Sequence, residues 1–540
     1  MLQYDPTASH LEVKDFQAML HEKAITGHMT YANFKDPRLG VALKGELSLK
    51  DIRDFYPAFA DSTDMEGRVN IDAQIEGRIA DFKEKRHGAI QAFGGATFKS
   101  LKIDDPSLQM PIENLSGQVL LDNHRIEVSR LSGKAGSSDF DIKGTVTEYL
   151  PWFFDENATI KGVVEWQSKN INLNEWLQSD TEASKTASTT DPTSGGEPKA
   201  FDFKFPKDVD FKVMAQFGKF KLDNFEATNM NGICRFADQT VTFEQLSMNA
   251  LGGSAKVSGA LKVKDLQHCD VNVTALFDDV DINENFRTFE QLAAFALVKE
   301  NLFGRFSGRV KISGSVDQHL ELDTKTFAST GDITIRDCKL INFEPLEGLA
   351  GFVKLEDLRH IEFSDMSTSY RIEDEFFYIP KMSLRANRYN MEVVGKHGFD
   401  NSLDYKVYVE LPRKEAKKSN NREVLDMIEV EQGDPLRVII PVHITGTVDK
   451  PKYRLEGKFV ASTFDAQIKK QGEELKAGWD AEIAENFGEV DTNKVDDMID
   501  VQKDPADTVK FTVGKVLDKV KKPLDKLKKP FKNIGDKFRQ

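Results

Sequence analysis

Three stretches of thirty residues, Leu115–Gly144, Met230–Gly259 and Met366–Gly395, align without a gap. Ser132, Ser247 and Ser383 coincide, as do Ala135, Ala250 and Ala386, and each stretch ends at a glycine. Apolar positions coincide as well: Leu121, Phe236 and Ile372; Ile126, Val241 and Phe377; Val128, Phe243 and Ile379; Ile142, Val257 and Val393. Within each copy they alternate with polar residues at period two, broken by short Asp/Asn/Gly turns. A period of two sends successive side chains to opposite faces of a strand, so each copy reads as a meander of three short strands with one apolar face. Units of this kind stack into an extended β surface rather than a compact catalytic bowl. The shared serine, alanine and glycine read as structural: the small residues permit close backbone approach or a bend, and the serine satisfies a turn.

At 540 residues the chain exceeds one ordinary core, which implies several domains or one elongated structure. Apolar residues make up 39%, enough for real burial and against global disorder. Phenylalanine supplies 38 residues against ten tyrosines, and rings without hydroxyls suit either burial or dry contact with hydrocarbon. The net charge of −15 conceals an asymmetry. From Lys510 to Arg539 eleven Lys/Arg face three Asp, a local balance of +8 that leaves −23 on the rest. An acidic body excludes nucleic acid as the main partner, because phosphate binding needs a broad basic surface.

Residues 1–178 read as mostly β, with Val69, Ile71, Ala73 and Ile75 alternating before Gly77 and one helix near Leu49–Phe59. Residues 179–200, rich in Ser, Thr, Gly and Pro, form a flexible linker. Residues 201–460 resume the β pattern, with strands at Val209–Phe217, Val310–Val316, Tyr405–Leu411 and Val438–Val448. A capping-box pattern, Thr288-Phe-Glu-Gln291, opens a helix toward Lys299, and Pro412–Asp434 reads as a charged insert. Residues 461–540 carry apolar positions spaced by three and four, an amphipathic helical tail with a basic end, broken at Pro523 and Pro530. The fold class expected is mainly β: an elongated, curled antiparallel sheet of roughly 30 strands, with a few short helices and this tail.

Six segments carry a resemblance to a known family. They are Asn301-Leu-Phe-Gly304, Gly308-Arg-Val-Lys-Ile-Ser-Gly314, Gly331-Asp-Ile-Thr-Ile-Arg-Asp337, Phe363–Gly395, Leu403-Asp-Tyr-Lys-Val-Tyr-Val409, and Ile440-Pro-Val-His-Ile-Thr-Gly446-Thr-Val-Asp-Lys-Pro451. In this order the chain resembles the C-terminal region of the AsmA-like family of bacterial envelope proteins, over about residues 283–455 and more weakly over 1–178. The resemblance implies a relative of bridge-like lipid transporters, in which a curled β-sheet forms a hydrophobic groove. It also implies a periplasmic protein anchored to the inner membrane through an N-terminal helix absent from this chain. Met1-Leu-Gln-Tyr-Asp5 opens without a signal peptide and runs into strand-like text at His10–Lys14, so the chain is expected to begin inside a longer one. The longest apolar run near a helical pattern, Leu292–Val298, is far short of the roughly 20 residues a bilayer crossing requires.

Enzyme signals are missing. GxxxxGK[ST], HExxH and GxSxG are absent, as is GxGxxG followed by a helical pattern. No catalytic residue, cofactor or metal is expected. Cys234, Cys269 and Cys338 are scattered, show no paired spacing, and read as small core residues; His443 reads as a satisfied strand residue rather than a ligand. The candidate lipid-groove residues are Ile126, Val128, Val209, Phe211, Val213, Phe217, Val241, Phe243, Phe377 and Ile379, with an ordinary sandwich core as the alternative. Candidate membrane-surface residues in the tail are Lys521, Lys522, Lys528, Lys529, Phe531 and Phe538, with a docked helix as the alternative. The partners expected are phospholipid or another acyl lipid, a membrane surface and envelope proteins. The leading expectation is a non-enzymatic β-groove that holds or conducts phospholipid between membranes. The alternative is a β-sandwich scaffold influencing outer-membrane protein assembly and targeting.

Overall fold

The computed structural model describes residues 5–456 apart from 21–22, 51–63, 85, 105–107, 109, 155–157, 178–207, 266, 290–300, 342, 354–360, 364, 386–388 and 431–435. The chain divides after Phe459, and all described residues belong to the first unit. The amphipathic tail with its candidate membrane residues, and the expected linker, lie outside the described residues.

Among the described residues alternating apolar text folds as one 23-stranded sheet, in which each strand pairs with the next in the chain, except that β17 and β18 both pair with β16. The first strands are β1 (His10–Leu20), β2 (Lys23–Ala32), β3 (Arg38–Ser48), β4 (Asp64–Arg78), β5 (Gln91–Asp104), β6 (Ile112–Leu121), β7 (Arg125–Ala135), β8 (Ser138–Thr147) and β9 (Ile160–Asn172). There follow β10 (Val209–Leu222), β11 (Phe225–Ala237), β12 (Thr240–Ala250), β13 (Gly253–Val263), β14 (His268–Asp281), β15 (Leu302–Asp317) and β16 (Ala328–Leu340). The last are β17 (Ile361–Glu362), β18 (Asp365–Glu373), β19 (Phe376–Arg385), β20 (Asn390–Gly398), β21 (Ser402–Pro412), β22 (Arg437–Thr447) and β23 (Lys450–Leu455). The 23 strands found among the described residues, against the roughly 30 expected of the whole chain, give a contour of about 105 Å at ~4.8 Å per strand.

Neighbouring strands pair antiparallel, with one exception: β9 and β10 are parallel from Val209↔Ile160 to Lys221↔Asn172. A parallel neighbour requires the chain to return along the full strand, and residues 178–207 connect the two. The sheet therefore continues directly from β9 to β10, the strands that flank the expected linker in the sequence.

Each aligned copy is a three-stranded meander, β6–β7–β8, β11–β12–β13 and β18–β19–β20. The pairing register shifts at the same place in all three, after Val128, Phe243 and Ile379. Opposite each of those residues stands the terminal glycine of its copy, Gly144, Gly259 or Gly395. At Gly395 φ is +149°, and a Cβ would lie 2.2 Å from the Asp404 carbonyl oxygen. A bulge beside a glycine of this kind bends a strand sharply and adds twist. Its repetition along the chain curls the sheet. The shared serines face one position across the strand: Ser132 Oγ donates to Ser116 O at 3.4 Å and Ser247 Oγ to Asn231 O at 3.3 Å.

Short helices cap strand ends: α1 (Ile79–Lys83), α2 (Tyr149–Phe154), α3 (Leu173–Leu177) and α4 (Ile282–Thr288). Asp281 caps α4 by accepting from Asn283 N at 2.8 Å and Glu284 N at 2.9 Å. Thr288 thus closes a helix rather than opening one; the rest of the expected helix, 290–299, lies outside the described residues. Of the expected helix near Leu49–Phe59, Leu49 and Lys50 are helical and 51–59 are not described. The charged insert Pro412–Asp434 contains two helices, α6 (Arg413–Ala416) and α7 (Arg422–Val430), preceded in the chain by α5 (Glu344–Val353).

The acidic side chain that α1 buries makes a test of local stability. Asp81 is 1% exposed. It accepts from Arg78 Nε and Nη2 at 2.9 Å each and from Arg86 Nε at 2.7 Å. The Arg78 guanidinium, with Arg86 beside it, holds its carboxyl down at about 2. Because the folded pKa lies below the ~3.9 of an unfolded aspartate, the contribution is complete above about pH 4 and is lost as pH falls toward 2. Protection factors for amide exchange across α1, taken relative to the intrinsic rate at each pH, are expected to fall in that window, and Asp81→Asn is expected to abolish that fall. Protection that falls equally in both proteins would refute the assignment.

Candidate functional site

Register makes the sheet two-faced. Following direct cross-strand partners, one row runs Ile25, Gly45, Ile71, Ala96, Val119, Val128, Gly144, Val164, Val213, Cys234 and Phe243. It continues through Gly259, Val273, Ile312, Ser329, Ile372, Phe377, His397 and Leu403. A second row joins Ile126, Val146, Gly162, Phe211, Phe236 and Val241. Strand pairing alone therefore keeps one apolar face in phase from β2 to β21, which a one-residue slip anywhere would break.

All ten candidate groove residues lie on this face. Val128, Val213, Phe243 and Phe377 share the first row, and Ile126, Phe211 and Val241 the second. Val209, opposite Ile160, Phe217, opposite Met230, and Ile379, opposite Gly395, flank them. Val213 and Val241 are buried; the other eight are half-buried.

Cover is unequal along the face. In β1–β9 most apolar side chains on it stay half-buried, and Leu11, Leu43 and Ile75 are 48%, 39% and 36% exposed. In β11–β22 one cluster takes in residues from Ala227 to Ile444 together with helix α5, whose Leu349, Ala350 and Val353 are buried completely or nearly so. Hydrogen bonds fix α5 there: Tyr453 Oη donates to Pro345 O (3.0 Å), Ser419 Oγ to Val353 O (2.5 Å) and Asn421 Nδ2 to Phe352 O (2.8 Å). Beside the cluster the cover thins again: Phe243 and Ile333 only border it, and Val273, Ile312, Phe377 and Ile379, outside it, remain half-buried.

The opposite face is charged and laced with cross-strand pairs, among them Lys44–Asp72 (2.8 Å), Arg38–Glu76 (2.8 Å), Arg130–Asp141 (2.6 Å) and Lys212–Glu244 (3.2 Å). Exposed pairs like these contribute under about 1 kcal/mol each. They keep that face wet and leave the apolar face as the one that needs covering.

No family model, curated protein or solved structure matches the chain. The site has to be read from its own chemistry.

Among the described residues no group of three or more His, Cys, Asp or Glu is placed to hold a metal ion, and no helix is long and apolar enough to cross a membrane. The three cysteines are buried and free, and burial pushes each thiol up to about 11, as expected of small core residues. His443 sits on β22 with Nε2 2.8 Å from Asp404 Oδ1, a satisfied strand histidine. A polar recess beside α2, lined by Glu148, Lys161, Asp210 and Arg235, has its arginine engaged: Arg235 Nε and Nη2 donate to Asp210 at 2.9 and 3.0 Å.

Sequence reasoning missed a group of polar side chains on the apolar face. Ser329 (β16), Tyr370 (β18), His397 (β20) and Tyr405 (β21) sit within it. From β3 to β15 the central part of this face is almost wholly apolar, with Ser138 and Ser168 among its few polar side chains. The signal was available: Val393, Gly395 and His397 share one parity, and a histidine at that parity breaks an otherwise apolar strand.

Proposed function

We propose that this chain is a non-enzymatic β-groove protein whose apolar face holds or conducts phospholipid during envelope biogenesis. One observation carries the reading: a single apolar face stays in phase across the sheet, yet over β1–β10 much of it is only half covered. Apolar area left in water costs roughly 25 cal/mol per Å². Acyl chains lying across the strands remove that cost, while headgroups stay toward water. The resemblance of residues 283–455 to AsmA-like proteins supports the same reading and, with it, a periplasmic setting at the inner membrane. The sealed cluster around α5 favours the second reading, a scaffold acting through protein contacts, for β11–β22 alone.

Lipid extraction from the purified protein followed by mass spectrometry separates the two. The groove reading expects about stoichiometric acyl lipid; a closed scaffold carries none. Phe211 lies half-buried in the second row, opposite Phe236. Phe211→Asp removes roughly 1.5–3 kcal/mol of apolar contact, so bound lipid is expected to weaken ten- to a hundredfold with unchanged far-ultraviolet circular dichroism. Undiminished lipid in that variant would sink the groove.

A further inference from the structure

The polar group on the apolar face gives the groove a chemical address. Ser329 Oγ donates to Lys311 O at 2.9 Å, so the proton between Ser329 Oγ and Tyr370 Oη, 3.1 Å apart, comes from the phenol. The phenol oxygen keeps its acceptor lone pairs. Burial pushes this hydroxyl up to about 12, so it stays neutral at physiological pH. The Tyr370 ring lies over Gly331, where a Cβ would come within 2.3 Å of Cε1, and stacks on Phe377 at 5.2 Å. Phe377 stacks on His397 at 5.0 Å, and His397 Nδ1 lies 2.7 Å from Tyr405 Oη. Four strands thus present a fixed stack of rings with polar edges between half-buried Ile312 and Ile379. Among the described side chains no lysine or arginine shares this parity in β16, β18, β20, β21 or β22, so a phosphate would find no counter-charge there.

We infer that Tyr370, with Ser329, His397 and Tyr405 around it, seats the uncharged hydroxyl-bearing head of an acyl lipid whose hydrocarbon lies on the neighbouring rows. The inference rests on the groove reading and adds one contact to it: the lipid part held here is a neutral alcohol, such as a glycerol hydroxyl, that donates to Tyr370, while any phosphate stays toward water. An apolar wall alone would hold the chain without regard to its head.

The test compares binding of 1-monopalmitoylglycerol and its bis-O-methyl ether to the full chain by native mass spectrometry. One net hydrogen bond contributes about 0.5–1.5 kcal/mol, so the free alcohol is expected to bind roughly two- to tenfold tighter. Tyr370→Phe keeps the ring on Phe377 and Gly331 and is expected to erase that preference while leaving affinity for the ether unchanged. Tyr31→Phe, on the same face at β2, is expected to retain it. A preference that survives Tyr370→Phe, or none in the wild-type chain while both probes bind, overturns the seat and leaves the groove standing. Failure of the wild-type chain to bind either probe overturns both.

Discussion

Gly395→Val is expected to unfold the meander β19–β21. The position has φ +149°, a region that only glycine enters without strain, and forcing another residue into it costs about 1–3 kcal/mol. A Cβ would lie 2.2 Å from Asp404 O and 2.7 Å from Tyr405 Cα, both backbone atoms of the paired strand. Neither can move without opening the ladder, and overpacking of this kind costs roughly a further 1–3 kcal/mol. Valine would therefore remove several kcal/mol from a region that also carries His397 and Tyr405. Glycine loss as such is not the cause, and Gly351 shows why. It lies inside α5 with nothing within 4 Å of a Cβ, so Gly351→Ala is expected to be neutral or to stabilise by up to about 1 kcal/mol. Urea unfolding of the two variants, with amide exchange over 390–411, checks the contrast. A Gly395→Val protein as stable as the parent would mean that the bulge is not what sets the bend.

The same residue explains what could be seen in the sequence. The three copies, their period of two and their closing glycines announced three meanders with one apolar face, and each lies where the alignment puts it. Strand text is local: alternation fixes the face, and the face fixes the register. The elements that escaped are those fixed from elsewhere in the chain. Helix α5 contains Gly348 and Gly351, which argue against a helix on propensity. Gly348 is there because the Tyr453 ring and its hydroxyl fill the space that a Cβ would need, a contact made 105 residues later in the chain. The helices of the charged insert 412–434 form against the end of the sheet, where Ala416 and Val424 are wholly buried, so their charges mark only the outward side. The parallel join of β9 and β10 leaves no mark at all, since alternation is the same in either direction. Of the site, the ten apolar positions were legible because parity places them. Ser329, Tyr370, His397 and Tyr405 were not, because their proximity comes from four strands in register.

Leu349→Asp is expected to open the covered part of the sheet while leaving its first third intact. Leu349 is 1% exposed at the centre of α5, between Leu346 and Val353. Truncating a leucine so placed costs about 2–5 kcal/mol through lost burial and a residual cavity. A carboxylate adds the cost of burying a charge among the apolar side chains of the cluster. The helix has little to hold it otherwise: ten residues, two of them glycine, cannot persist without tertiary contacts. Once α5 leaves, Met391, Val409, Leu411 and Ile440, each at most 2% exposed, lose their cover. Each strand from β2 to β8 pairs with the next, so the loss has no direct route to β3–β8. Amide exchange is therefore expected to accelerate across β20–β22 and stay unchanged in β3–β8, with a rise in binding of an apolar dye. Uniform acceleration along the whole sheet would show instead that the 23 strands unfold as one cooperative unit, and that the cover over β11–β22 supports the uncovered face as well.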